Sequence, residues 1–173
     1  QAKAINFGVI YGKTDFSLAK ELQIPRSEAA RFIQEYFNLY AGVERFMNAT
    51  IEEARAERAV TTLLGRRREL KDIDAKNHNV RKHAERMARN TPIQGTAADL
   101  IKIAMIRVDE RLQREGLEST MMLTVHDELV FEVPEAEIED AVSLIREEME
   151  HALVLDVPLV VDVGIGDNWA EAH

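Results

Sequence analysis

The sequence predicts an α+β fold, in which a long helical part is followed by a β-hairpin, a helix and a strand. Apolar residues recur at helical spacing through most of residues 2–116. After residue 120 the pattern changes to short, apolar, β-prone runs. With 173 residues, of which 46% are hydrophobic and 31% charged, the chain has enough apolar material to bury a core. Many helices followed by the order β-β-α-β are typical of α+β folds.

The first part of the chain predicts four helices separated by short breaks. The expected ranges are 2–11, 14–22, a run after Ile24-Pro25 with Ser27 as its cap, and 42–58. We expect Gly12 to stop the first helix and Thr14 or Asp15 to cap the second, because glycine favours helix C-termini and Thr and Asp favour N-caps.

The middle of the chain predicts a short β segment and two further helices. Residues 60–65 indicate a β piece and a turn before a run of three arginines. A helix over 75–89 is expected to end at Thr91-Pro92, since proline lacks an N–H and disfavours the α region for the residue before it. Thr91 would then cap a new helix, with Gln94 completing its capping box, and this helix would stop near Gly116.

The last part of the chain predicts the β elements. Residues 121–125 and 129–133 indicate a hairpin whose strands are separated by three residues, His126, Asp127 and Glu128. An amphipathic helix over 135–153 and a final strand over 158–163 follow.

Composition excludes several classes of protein. The chain has no cysteine, so it has neither disulfides nor a cysteine-ligated metal. Its longest apolar runs are too short to span a membrane. It opens without an initiator Met or an apolar leader, from which we expect that it has no signal peptide and that it is cut from a longer chain.

Charge is distributed unevenly along the chain. The net charge is −9, yet residues 1–90 hold 17 Lys/Arg and 12 Asp/Glu, a net of +5, and residues 91–173 have a net of −14. Residues 58–89 alone hold 10 basic and 4 acidic residues. The asymmetry indicates that one part meets an anion, although two ordinary solvated surfaces would give the same counts.

Three groups of residues suit chemistry, and the first is Lys3, Phe7 and Tyr11. Positions four apart drift by only about 40° around a helix, so these side chains share one stripe. A lysine meets phosphate as a point charge, and an aromatic ring stacks on a base or a sugar. The alternative is an ordinary helix with one snorkelling lysine and two half-buried aromatic rings.

The second group is basic and polar. Arg66, Arg67 and Arg68 follow a turn, and clustered arginines bind phosphates with salt-dependent affinity. Arg86, Asn90 and Gln94 recur four residues apart and suit contacts to groove acceptors or sugars. The alternatives are a solvated face for the arginines and the capping box for Gln94.

The third group is the His126-Asp127-Glu128 tip of the hairpin. Two adjacent carboxylates on a rigid turn suit a hard divalent cation such as Mg²⁺. Adjacent strand residues point to opposite faces, so both reach one metal only if the turn redirects them. A two-metal site needs at least one more carboxylate from elsewhere, and plain turn chemistry is the alternative.

Taken together, these motifs resemble the C-terminal part of a family A DNA polymerase of the bacterial DNA polymerase I type. The motifs that carry the resemblance are Lys3-Ala-Ile-Asn-Phe7-Gly8-Val-Ile-Tyr11-Gly12, Leu64-Gly65-Arg66-Arg67-Arg68, Arg86 through Asn90-Thr91-Pro92-Ile93-Gln94-Gly95-Thr96-Ala97-Ala98-Asp99, Val125-His126-Asp127-Glu128 and Gly166-Asp167-Asn168-Trp169. Each motif alone is modest, but the combination at these spacings is specific, and it extends over essentially the whole chain.

The resemblance implies a fingers segment at 1–74, beginning at the nucleotide-binding helix, and a C-terminal palm part at 75–173 that holds the catalytic hairpin. It also implies DNA-directed DNA synthesis, with Mg²⁺ as the cofactor and with primer–template DNA and dNTP as partners. No membrane partner is implied.

The resemblance also implies residue roles. Lys3 would contact the phosphates of the incoming nucleotide and act in catalysis, Phe7 would stack on its base and sugar, and Tyr11 would stand beside the template base. The residues expected to bind DNA are Arg66, Arg67, Arg86, Asn90, Gln94 and His126. Asp127 would be the catalytic metal ligand, with Glu128 in an auxiliary role.

The same resemblance implies that the site is divided. In the family, a phosphate-binding Arg, the second metal-binding Asp and the thumb lie upstream of the position that corresponds to Lys3. The expected partner is therefore the upstream remainder of the polymerase, and we expect this chain alone to be inactive.

Three other readings of the residues stay open. A phage-type single-subunit RNA polymerase has a similar helix and hairpin, but Phe7 and Glu128 favour the DNA enzyme. A non-catalytic nucleic-acid-binding module explains the basic segment at 58–89 but not the carboxylates of the hairpin. A plain structural α+β domain has no use for the Lys3/Phe7/Tyr11 stripe.

Overall fold

The computed structural model describes Asn6 and residues 8–172, and its fold is of the predicted α+β class. Asn6 and residues 8–10 are helical. The helices that follow are α1 (Asp15–Leu22), α2 (Arg26–Leu39), α3 (Ala41–Glu57), α4 (His78–Glu115), α5 (Ile138–Glu150) and α6 (Trp169–Ala172). The strands are β1 (Ala59–Thr61), β2 (Arg67–Glu69), β3 (Thr120–Val125) and β4 (Glu128–Glu132). They form two antiparallel pairs, β1 with β2 and β3 with β4.

The chain divides into two compact units, residues 1–96 and residues 97–173. In the first unit, α1 and α2 pack around Leu18, Ala19 and Ala29. A second cluster joins α3, the β1–β2 hairpin and the start of α4, and consists of Ile51, Ala54, Val60, Leu70, Ile73, Ala84 and Ala88. The core of the second unit consists of Val108, Leu112, Ala141, Leu144 and Ile145, with side chains of the β3–β4 hairpin packed against it.

Most predicted helix ends are confirmed. Thr14 caps α1 by accepting a hydrogen bond from the Ser17 N–H at 3.2 Å. The end of α4 before Gly116 is also as predicted. The predicted cap at Ser27 is wrong, because α2 already begins at Arg26, directly after Pro25.

The predicted break at Thr91-Pro92 is wrong, because α4 is continuous and contains Pro92. Proline leaves the Ala88 carbonyl without its usual donor. The hydroxyl of Thr91 instead donates to the Met87 carbonyl at 2.7 Å, and Thr96 donates to the Pro92 carbonyl. Since Ala88 and Thr91 are both buried, packing on this face holds the helix together across the proline.

The predicted strand at 158–163 is also wrong, since no strand is formed there. A strand needs a partner for its backbone groups. Within the described residues this segment bonds only through the Val161 N–H, which donates to the Glu150 carboxylate at 3.1 Å. Its valines stay open to solvent, and Val160 is 76% exposed.

Candidate functional site

The β3–β4 hairpin closes with a turn of two residues, His126 and Asp127. Val125 pairs with Glu128, so Glu128 already belongs to β4, and the expected three-residue connection is wrong. His126 has φ +56°, whereas Asp127 has no positive φ. A positive φ at the first central position alone matches a type II′ turn, which favours glycine there. The hairpin therefore holds a histidine in a backbone conformation that costs free energy.

Asp127 is exposed at this tip. Its carboxylate makes no hydrogen bond or ion pair within the described part of the chain. Glu128 is partly buried and has a contact of its own. The carboxylate that the turn presents to solvent is thus the one predicted to be the metal ligand.

The donors at the tip fit Mg²⁺ as part of a site only. Carboxylate oxygens are the ligands that this cation prefers. Among the described residues, however, no three His, Asp or Glu side chains come together as a metal-binding group.

The base of the hairpin contains a β-bulge and accepts support from the Glu137 carboxylate, which hydrogen-bonds to the backbone just before β3. The register shifts between Met121 and Leu123, which leaves Met122 as the extra, exposed residue. Glu137 accepts hydrogen bonds from the N–H groups of Glu118 and Ser119, at 2.9 and 3.0 Å. The hydrogen bonds from Glu118 and Ser119 lower the pKa of the Glu137 carboxyl.

The polar stripe of α4 consists of Arg86, Asn90 and Gln94, which lie on one continuous helix. Arg86 and Gln94 are exposed, and Asn90 between them is partly buried. Because Thr91 is inside the helix, Gln94 completes no capping box, so the structural alternative for Gln94 is wrong. The Asn90 Oδ1 atom is buried, with no hydrogen-bond partner among the residues that the structure describes.

The β1–β2 hairpin ties two of the arginines to α3 and α4. Arg67 donates to the Glu57 carbonyl at 3.0 Å, at the C-terminal end of α3. Arg68 donates to the Thr91 hydroxyl at 3.3 Å. Arg66 is exposed at the turn and has a contact of its own. These two hydrogen bonds hold Arg67 and Arg68 against neighbouring elements, so the three arginines are not one freely solvated run.

The turn of this hairpin also docks on α4 beside Gln94. The Leu63 N–H donates to the Thr96 hydroxyl at 2.9 Å. A Cβ atom on Gly95 would lie only 2.6 Å from Thr62 Cγ2. Arg66, Arg67 and the stripe of α4 therefore lie in one compact unit, as the DNA-binding prediction requires.

A buried carboxylate near the start of α4, Glu85, is paired with two partly exposed cations. Glu85 is 4% exposed, and its carboxylate accepts from Arg55 and Lys82, each at 2.9 Å. Burial by itself raises the pKa of Glu85, but the two cations outweigh it, so the pKa lies below its usual value. The sequence analysis missed this cluster, which the i, i+3 spacing of Lys82 and Glu85 could have indicated in part.

Of the residues predicted to bind the nucleotide, Lys3 and Phe7 lie outside the described part of the chain. Tyr11 is partly buried at the end of the first helix. The next residue, Gly12, has φ +79°. Its N–H donates to the carbonyl three residues earlier, which together with the following N–H forms a Schellman motif.

Arg89 was also missed by the sequence analysis. Its Nη1 atom lies 3.0 Å from the position that a Cβ atom on Gly12 would take. Gly12, just after this helix, thus lies close to the Arg89 side chain of α4. A polar cleft of about 170 Å³ opens here, lined in part by Lys13 and Glu44.

None of the helices in the described part of the chain combines the length and the apolar content that a membrane span requires.

The chain is similar to known proteins over nearly all of its length. The model of the family described as DNA polymerase family A matches residues 1–171. DNA polymerase I of Bacillus caldotenax is 52% identical over 172 residues, which is 99% of this chain and 20% of that protein. DNA polymerase I of Pseudomonas aeruginosa is 51% identical over 172 residues, again 99% of this chain and 19% of that protein.

A solved structure shows the same similarity. The POL domain of Pol1 from M. smegmatis, in complex with DNA primer-template and dNTP, superposes with a TM-score of 0.95 at 45% identity. The alignment covers 98% of this chain and 30% of that one. The chain spans about a fifth of the length of the curated relatives it matches. Because the family model matches almost every residue, this chain belongs to DNA polymerase family A.

Proposed function

We propose that this chain is the C-terminal part of a DNA-directed DNA polymerase and carries one half of its catalytic site. The observation that carries the proposal is the exposed carboxylate of Asp127 at the tip of the hairpin, which has no partner among the described residues, in a chain whose family match includes that motif. The M. smegmatis relative, which was solved with primer-template and dNTP, supports the proposed partners.

The proposed reaction is nucleotidyl transfer. The 3′-hydroxyl oxygen of the primer attacks the α-phosphorus of a dNTP, and the bond from that phosphorus to the bridging oxygen of the pyrophosphate group breaks. The hydroxyl proton is lost to solvent, and pyrophosphate leaves. Positioning and charge stabilisation supply most of the catalysis in such a reaction.

The carboxylate of Asp127 holds a divalent cation in this proposal, with Glu128 beside it in an auxiliary role. When bound, Mg²⁺ supplies positive charge at the attacking and leaving oxygens. A further carboxylate from the remainder of the polymerase completes the site, which agrees with the incomplete set of donors at the tip.

The incoming dNTP binds along the first helix. Lys3 neutralises phosphate charge, Phe7 stacks on the base and sugar, and Tyr11 lies beside the template base. The helix ends in a hydrogen-bonded Schellman motif at Gly12. This defined helix end supports the proposed position of Tyr11 beside the template base.

The primer–template duplex binds along the basic and polar surface. The residues proposed to contact it are Arg66, Arg67, Arg86, Asn90, Gln94 and His126. The minor groove offers similar acceptors for every correct base pair. Donors on α4 therefore test base pairing without reading the sequence.

We also propose that residues 1–74 belong to the fingers and residues 75–173 to the palm. The compact units divide at a different position, after residue 96, because α4 contributes to both. The bacterial origin of the relatives supports action on a bacterial chromosome in the cytoplasm.

A segment exchange tests the proposal. Residues 1–172 of this chain replace the matched segment of Bacillus caldotenax DNA polymerase I, and primer extension is measured with Mg²⁺ and dNTPs. We expect the chimera to extend primers and the 173-residue chain alone to be silent. Asp127→Asn should lower kcat by about 100-fold or more, because it removes charge at the reacting centre.

The matched control is Asp156→Asn, since Asp156 is exposed and makes no hydrogen bond or ion pair among the described residues. It should keep the activity of the chimera. A folded chimera that binds duplex but never incorporates a nucleotide would favour a binding module instead. Metal-dependent synthesis by the chain alone would refute the divided site.

A further inference from the structure

His83 lies one helical turn before Arg86 on α4, and both side chains are exposed. The Nη2 atom of Arg86 is 3.0 Å from Nδ1 of His83. A guanidinium group has donors only, so Arg86 donates this hydrogen bond and Nδ1 accepts it. This contact uses the tautomer of His83 that carries its ring N–H on Nε2.

The surroundings leave Arg86 with no other anchor. The nearest carboxylate in sequence, Glu85, is buried, and its oxygens are already taken by Arg55 and Lys82. Among the described residues no carboxylate pairs with Arg86. A long, unanchored arginine side chain loses considerable rotamer entropy when it is held against a ligand.

His83 also extends the stripe of α4. His83, Arg86, Asn90 and Gln94 are separated by three, four and four residues, so they follow one face of the helix. The contact to His83 holds the Arg86 guanidinium along this face.

We propose that His83 is a positioning residue, which preorients Arg86 toward the primer–template duplex. It acts through Arg86 rather than by touching the nucleic acid itself. This inference rests on the proposed function, because it assigns a residue to the duplex-binding surface of the same site. Preorganisation of this kind improves affinity by lowering the entropy lost on binding.

The test uses the chimera described above and two substitutions. His83→Ala removes the acceptor. His83→Asn keeps an acceptor, since its side-chain oxygen takes the place of Nδ1. The dissociation constant for a primer–template duplex is measured by fluorescence anisotropy, and kcat and KM by primer extension.

We expect His83→Ala to weaken duplex binding about three- to tenfold, as the loss of one hydrogen bond predicts. The loss should fall on KM for the duplex rather than on kcat. His83→Asn should restore the affinity to within about twofold of the unsubstituted chimera. In an Arg86→Ala background, His83→Ala should have no further effect.

Three results would overturn the inference: unchanged affinity in His83→Ala, failure of asparagine to rescue it, or an undiminished penalty in the Arg86→Ala background. The last would mean that His83 contacts the duplex directly. Circular dichroism checks that each variant is folded. A chimera without polymerase activity would count against the proposed function, whereas an active chimera indifferent to His83 would count against this inference alone.

Discussion

Asp127 and Glu85 are both carboxylates in charged stretches of sequence, yet their surroundings in the folded chain are opposite. Asp127 lies exposed on a two-residue turn, without a partner in the described structure. Glu85 is buried, and two cations use its oxygens. Only the first is open to an external cation. At the residue scale, burial and pairing therefore separate a candidate ligand from a structural charge.

The pairing of Glu85 predicts a pH-dependent contribution to stability. Its pKa is lower in the folded chain than the usual value of 4.5. The stabilisation is therefore present above about pH 4.5 and is lost as the pH falls through the lowered value. Glu85→Gln should reduce the free energy of unfolding by about 1–3 kcal/mol at pH 7, and by less as the pH falls below 4.5.

Urea unfolding of the 173-residue chain at several pH values measures this difference. Glu53→Gln is the matched control, because Glu53 is exposed on α3 and should show no comparable loss. An equal penalty for Glu85→Gln at pH 7 and at acidic pH would show that the charge of Glu85 does not stabilise the fold.

At the scale of elements, the local pattern predicted much of the fold. An amphipathic helix over 135–153 was predicted from its spacing, and the face of α5 formed by Ala141, Leu144 and Ile145 is buried. The hairpin was predicted from two β-prone runs, and His126 and Asp127 lie in its turn as expected, whereas Glu128 belongs to β4. These features depend on neighbours in sequence, which explains why the sequence was sufficient.

The wrong predictions concern segments whose structure depends on contacts with distant parts of the chain. Pro92 ends a helix by local rules, but buried Ala88 and Thr91 hold α4 together across it. The run at 158–163 has strand composition but finds no pairing strand among the described residues. His83 was missed because its importance rests on a side-chain contact with Arg86 that only the folded helix shows.

The docking of the β1–β2 turn on α4 gives an element-scale prediction. Gly95→Ala would place a Cβ atom 2.6 Å from Cγ2 of buried Thr62. Overpacking costs about 1–3 kcal/mol, which should outweigh the gain of about 1 kcal/mol from alanine in a helix. Thermal and urea unfolding should therefore show a less stable chain.

Two further variants separate the clash from other effects. Thr62→Ser removes the methyl group and keeps the hydroxyl that accepts from the Arg66 N–H, so it should rescue Gly95→Ala. In Gly42→Ala the nearest atom is Arg45 Nη2 at 3.8 Å, and stability should be kept or raised. A fully stable Gly95→Ala chain would show that the turn does not pack tightly on α4.

At the scale of the whole molecule, the uneven distribution of charge follows the division of the chain into two compact units. The basic residues of 58–89 lie in the first compact unit, and the strongly acidic remainder belongs mainly to the second. In the second unit, one cation, Arg111, is shared by Glu115, Glu147 and Glu148. The net charge of −9 therefore conceals one surface that suits polyanions and another that repels them.

Salt dependence tests this division. The logarithm of the duplex affinity of the chimera should fall linearly with the logarithm of the salt concentration. Arg66→Ala should reduce the slope by about 0.9, which is the value for one phosphate contact. Arg146→Ala, at an exposed position of α5, should leave the slope unchanged. Equal slopes in all variants would place the duplex elsewhere.

The positive φ of His126 affects which residue evolution would select at this position. Glycine relieves the strain of that turn position, so selection for folding alone would replace the histidine. Selection for DNA synthesis would retain it if the imidazole serves the primer terminus. The residue found at position 126 after laboratory evolution therefore reports which of the two pressures acted on the hairpin.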